Sequence, residues 1–153
     1  MRTARSAIPG VLACLTLAAC GAQEPPSATS HTPPPAAMAA CQRVLADLPE
    51  TVAGLQGAVD ARGRVAYWGS DEKRVVLRCG VDKPAGLEPG SRCDMVNGVG
   101  WWAEKLEGGY RFTTLGRAAF VQVEVPPAHA PEADVLNELS GAVGQDPVVT
   151  PCV

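Results

Sequence analysis

Histidine is nearly missing from this 153-residue chain: only His31 and His129 occur. A Ser–His–Asp or Cys–His nucleophile system would have to use His129, which sits in AHAPE with no evident orienting partner. Hydrolysis by a histidine-held metal lacks its ligands. The chain also has no Cys-x-x-Cys, which disfavours thioredoxin-type exchange and the usual zinc spacing. No basic stripe exists, and 13 Lys and Arg stand against 16 Asp and Glu, which argues against nucleic-acid binding and polybasic membrane contact. The glycines of GRVAYWG, GLEPG and VNGVG serve turns, since none precedes a helix carrying Lys-Ser/Thr. Glu104 and Glu107 lie three apart on a strand and turn, and spacing alone defines no carboxylate pair for glycoside hydrolysis. No catalytic residue, metal or cofactor is assigned on these grounds.

What is present begins at the N-terminus. MRTARS carries Arg2 and Arg5 and no acid, and AIPGVLACLTLAAC is a short apolar run with small residues at its end. At roughly a dozen residues the run is too short for about 30 Å of hydrocarbon. It reads as a signal peptide over 1–19. Leu17-Ala18-Ala19-Cys20 resembles the lipobox of bacterial lipoproteins, which implies a diacylglyceryl group on Cys20 and cleavage before it. The alternative is an ordinary secreted protein cleaved after Ala19. Two or more acyl chains, at about 0.8 kcal/mol per buried CH₂, hold a protein durably on a bilayer. The expected location is therefore the cell membrane, lipid-anchored, on the extracytoplasmic face.

Residues 20–39 hold five prolines and no aromatic or branched apolar side chain, so they read as a disordered tether with an incidental His31. The globular part is expected over 40–153. Losing Arg2 and Arg5 leaves 11 basic residues against 16 acidic, a mature balance near −5.

Six cysteines would make three bridges, but Cys14 falls in the discarded peptide and Cys20 carries lipid. Cys41, Cys79, Cys93 and Cys152 remain, and four thiols outside the cytoplasm favour two structural disulfides. Three pairings exist and sequence does not choose among them. Cys41–Cys79 with Cys93–Cys152 is preferred: the first would clip the opening helix to a central strand, the second would tie down the tail.

Along the domain, Val44, Leu45 and Leu48 fall at helical spacing before Pro49. ETVAGLQGAV reads as a second short helix or an irregular continuation. RVAYWG (64–69) and RVVLRCGV (74–81) read as strands, and DKPAGLEPGSRC as loop. Strands are expected near 99–106, 110–114 and 118–126, with Gly108-Gly109 as a hairpin turn and Asn97-Gly98 as a second tight turn. Val135, Leu136, Leu139 and Val143 form a helical stripe after an acidic first turn. The expected fold is α+β: one small domain, a mostly antiparallel sheet of four to five strands, and N- and C-terminal helices packed on it.

Cys41 to Pro49 (CQRVLADLP), Tyr67-Trp68-Gly69, LRCGV at 77–81, VNGVGWW at 96–102, RFTTLGR at 111–117 and VEVP before the last helix together resemble the DUF3515 family. These are actinobacterial exported or lipid-anchored proteins of unknown function. The resemblance implies an envelope location and supplies no catalytic residue. Ser70-Asp71-Glu72 departs from the family pattern, which often has a proline after Trp-Gly.

Five side chains are candidates for binding. Arg78 and Arg117 are able to hold a carboxylate bidentately, or to serve as ion pairs, Arg117 with Glu124 or Asp94. Trp101 and Trp102 must face opposite sides of a strand, one of them in the core. An exposed tryptophan among these two and Trp68 would stack on a sugar or pack on a partner. The expected function is a non-catalytic envelope module that binds a protein or a cell-wall component. The alternative is an envelope enzyme using carboxylates and arginines, and a cleft lined by Arg78, Arg117 and an acid of raised pKa would favour it.

Overall fold

A computed structural model describes residues 32–152. The expected signal peptide, Cys20 as the expected lipid carrier, and the expected tether up to residue 31 lie outside the described residues. The first element among the described residues is helix α1 (Pro35–Ala46), which begins before residue 40. Pro35 occupies the first helical position, where its missing N–H costs nothing. Ala37, Ala40, Cys41, Val44 and Leu45 then follow at spacings of three, four, seven and eight and form the buried stripe. Pro33 is buried against Gly80 and Cys41. The last residues of the segment expected to be tether thus belong to the folded unit.

Eight strands follow, not four or five: β1 (Thr51–Val52), β2 (Leu55–Asp60), β3 (Val65–Trp68), β4 (Val75–Cys79), β5 (Asp94–Val96), β6 (Val99–Leu106), β7 (Gly109–Thr114) and β8 (Val121–Val125). The stretch expected to be a second short helix or an irregular continuation is the β1–β2 hairpin. Ala53 and Gly54 make its two-residue turn with φ of 51° and 72°, the positive pair that matches strand twist. Asn97 and Gly98, at 45° and 80°, do the same between β5 and β6. The β6–β7 turn is Glu107-Gly108, one residue earlier than expected, because Leu106 pairs with Gly109.

All neighbours are antiparallel, in the order β1-β2-β3-β4-β8-β7-β6-β5. Two meanders, β1–β4 and β5–β8, therefore meet side by side at β4 and β8. Loop 80–93 carries the chain from the centre of the sheet to its far edge. Helix α2 (Glu132–Val143) follows β8. The described residues thus form a small, mostly β single domain with two α-helices.

Strand period two sorts the side chains. Val75, Leu77 and Cys79 of β4, and Val121, Val123 and Val125 of β8, join the stripes of α1 and α2 in one core. Trp68 and Trp101 are in it, 1% and 0% exposed. The opposite face is open and carries a charge row across four strands. Arg78 pairs with Glu124 at 3.3 Å, Glu124 with Arg111 at 2.8 Å and Arg111 with Glu104 at 3.3 Å.

The disulfides are Cys41–Cys79 and Cys93–Cys152, with Cα separations of 5.5 and 6.1 Å. The first joins α1 to β4 inside the core. The second joins the start of β5 to the C-terminal tail. Among the described residues no helix is long and apolar enough to cross a membrane.

Candidate functional site

The register brings Cys79, Val121, Thr114, Trp101 and Asp94 to one end of the sheet. Loop 80–93, turn 115–120 and tail 147–152 all leave from or return to that end. Between them lies a cleft of about 550 Å³. Leu87, Leu115, Phe120 and Val149 give it apolar walls, and Lys83, Glu88 and Arg117 give it charge. A smaller hollow of about 220 Å³ lies across the tail, lined by Met95, Leu115, Arg117 and Val148. The tail is the partition, because Thr150, Pro151 and Cys152 line both.

Turn 115–120 is fixed from below by two buried side chains. Thr114 Oγ1 donates to Ala119 O at 3.2 Å and accepts Val121 N–H at 2.9 Å. Asp146 accepts the N–H groups of Ala118 at 3.1 Å and Ala119 at 3.0 Å. This carboxylate is fully buried. Burial raises its pKa above 3.8, opposed by the Ala119 and Ala118 N–H groups and then by the charges of Arg117 and Arg43.

Arg117 is spent on backbone. It donates to the carbonyls of Asp146 and Gly144, the latter at 3.4 Å, and to Gly98 O at 3.1 Å. It also forms an isolated bridge with Val148. It pairs with neither Glu124 nor Asp94: Glu124 lies between Arg78 and Arg111, and Asp94 accepts from Arg92 at 2.6 Å. Arg78 is on the open face, away from the cleft. The structure therefore does not bring Arg78 and Arg117 together, and the acid of raised pKa beside Arg117 is sealed in the interior.

Trp68 Nε1–H donates to Pro49 O at 3.0 Å, and both Trp68 and Trp101 are buried, so neither offers a surface to a partner. Trp102 is on the open face, half-buried beside Gly86 of loop 80–93. His129 Nε2 lies 2.7 Å from Lys73 O, a hydrogen bond between two surface turns. Among the described residues no group of three His, Cys, Asp or Glu side chains could hold a metal ion. Asp146 escaped the sequence reading. Asp146-Pro147 marks a turn, but nothing local announces that its carboxylate caps amides 27 and 28 residues away.

These features define a two-disulfide, helix-on-sheet domain with a loop-built cleft at one end. The chain belongs to the DUF3515 family, proteins of unknown function, whose model matches residues 4–149. No curated protein and no solved structure matches it.

Proposed function

We propose that this protein is a cell-envelope lipoprotein that acts by binding an envelope protein or a cell-wall component rather than by catalysis. One observation carries the binding reading. Arg117, the arginine at the cleft, is committed to three backbone carbonyls, and the adjacent acid is buried under two amides. These two groups hold the walls, while the cleft itself, with Lys83 and Glu88 in its lining, is open and largely apolar. The location rests on the sequence: Leu17-Ala18-Ala19-Cys20, the proline-rich stretch after it, and a domain stapled as exported domains are.

Crosslinking in cells followed by mass spectrometry tests the binding reading. A reproducible envelope partner attached near 83–91 or 148–151 supports it, and recovery of none counts against it. The anchor has a separate test. Cys20→Ala should release the protein from membranes and abolish the acyl mass, and a variant that keeps membrane lipid overturns the lipobox reading.

A further inference from the structure

The two disulfides occupy opposite environments. Cys41 and Cys79 are 1% and 0% exposed, under α1. Cys93 and Cys152 are half-exposed and line the cleft. Residues 147–151 are all exposed, with Val148 and Val149 more than 60% so. Among the described residues, backbone hydrogen bonds to turn 115–120 fasten this tail besides the disulfide. Val149 and Thr150 N–H donate to Gly116 O at 2.7 and 3.0 Å, and Ala118 N–H donates to Pro147 O at 3.1 Å. Little apolar area is buried by 148–151, so the hydrophobic term that secures the core is weak here. The covalent link closes this wall.

We propose that Cys93–Cys152 is a reducible latch on the cleft, and that Cys41–Cys79 is a permanent staple. A dithiol reductant supplies the electrons. Its thiolate attacks Cys152 Sγ on the exposed tail, the bond to Cys93 Sγ breaks, and Cys93 leaves as a thiolate that takes a proton. The second thiol of the reductant displaces Cys152 and closes a disulfide in the reductant. The protein gains two thiols and the reductant is oxidised by two electrons. With the latch open, residues 148–152 swing away and the two hollows they separate become one groove floored by Leu115. The core staple is inaccessible to the same attack without unfolding.

The latch concerns the same cleft as the binding reading but not its partner, so it is tested without one. The exported-length protein is titrated with dithiothreitol, thiols are trapped by alkylation, and tagged cysteines and amide hydrogen exchange are read by mass spectrometry. The expected result is tagging of Cys93 and Cys152 while Cys41 and Cys79 stay untagged. Exchange at Val149 and Thr150 should rise about tenfold or more, with Leu77 and Val123 unchanged. Cys93→Ser with Cys152→Ser should show the same fast exchange without reductant. Should that variant fail to fold, the selectively reduced wild type gives the same reading. Simultaneous reduction of both disulfides, only as the core unfolds, overturns the proposal. So does slow exchange at Val149 and Thr150 after selective reduction.

Discussion

The two stapled regions look alike by loop length and differ in everything around the sulfurs. Sequence separations of 38 and 59 give about 4 kcal/mol each in the chain-entropy model, slightly more for the longer loop. Packing reverses that order. Cys41–Cys79 ties α1 to β4 among Ala37, Val44 and Leu77, so cutting it also loosens buried contacts. Cys93–Cys152 holds a surface tail that is free to fray alone, so cutting it gives the native state freedom as well as the unfolded one. A disulfide's contribution thus depends on how much structure must move when it opens.

The sharpest way to break this comparison is to remove each bridge. Cys41→Ala with Cys79→Ala should lose about 4–6 kcal/mol, the loop term plus buried sulfur volume. For a domain of this size that approaches the whole stability. Cys93→Ala with Cys152→Ala should lose about 1–3 kcal/mol, below the loop-length figure, because the tail opens locally. Urea unfolding of both pairs gives the ranking. Equal losses, or a larger loss at the tail, would show that loop length decides after all.

Asp146 stands between the two regions, since it joins the end of α2 to the cleft turn. Asp146→Ala leaves the Ala118 and Ala119 N–H groups without an acceptor and should cost about 2–4 kcal/mol. Asp146→Asn keeps one acceptor and should cost less. The pH dependence has a definite sign. A carboxyl whose pKa is raised by folding binds more protons in the native state, so stability falls as pH rises from 3.8 through the folded pKa. The penalty is fully present at neutral pH and is relieved in acid. Urea midpoints at pH 7 and pH 4 should therefore converge less for Asp146→Asn than for wild type. A wild type that loses more stability than the variant on acidification would contradict the burial argument.

A third change separates the latch from the core without touching sulfur. Gly100, on β6, lies directly beneath Cys93–Cys152, and a methyl group there would overlap Cys152 Sγ and crowd Cys93 Sγ. Gly100→Ala should displace the latch and speed its reduction several-fold, at a cost of about 1–2 kcal/mol. Gly108→Ala, at a turn with open space around it, is the control and should change stability by less than about 0.5 kcal/mol. Thiol-trapping rates under mild reductant distinguish them. Identical rates would mean that the sulfur pair does not depend on the space above β6.

What the sequence disclosed follows from how local each signal is. VVLRC and VQVEV alternate cleanly, so β4 and β8 and their faces were legible. The helix stripe of α2 was equally plain. The β1–β2 hairpin was not, because its turn is Ala53-Gly54 instead of Asn-Gly or Asp-Gly, and Val52, Leu55 and Val59 mimic helical spacing. Strand β5 was hidden by its three-residue length, although Asn97-Gly98 pointed to its turn. The start of α1 was obscured by Pro33, Pro34 and Pro35, which read as linker and yet supply an N-terminal helical proline. The cleft's fastenings were invisible for a different reason. Arg117 and Asp146 act on residues far away in sequence, and only the topology places those partners beside them.

The smallest effect is expected on the open face, and it tests whether that face resembles the core or the tail. Arg111 donates to Glu124 and Glu104, and Arg78 shares Glu124, with every member of the row partly exposed. Solvent screening limits such pairs to about 0.2–1 kcal/mol. Arg111→Met keeps most of the side-chain stem on the sheet and removes the charge, so it isolates the electrostatic part. It also leaves Glu124 with Arg78, while Glu104, which loses Arg111, is the most exposed member of the row and turns to solvent. The expected loss is about 0.5–1 kcal/mol at low salt. It should shrink in 1 M salt, where the screening length falls to about 3 Å. A salt-independent loss above about 2 kcal/mol would place the row in a desolvated environment. The open face would then be a second core in its own right rather than a wet surface crossed by charge.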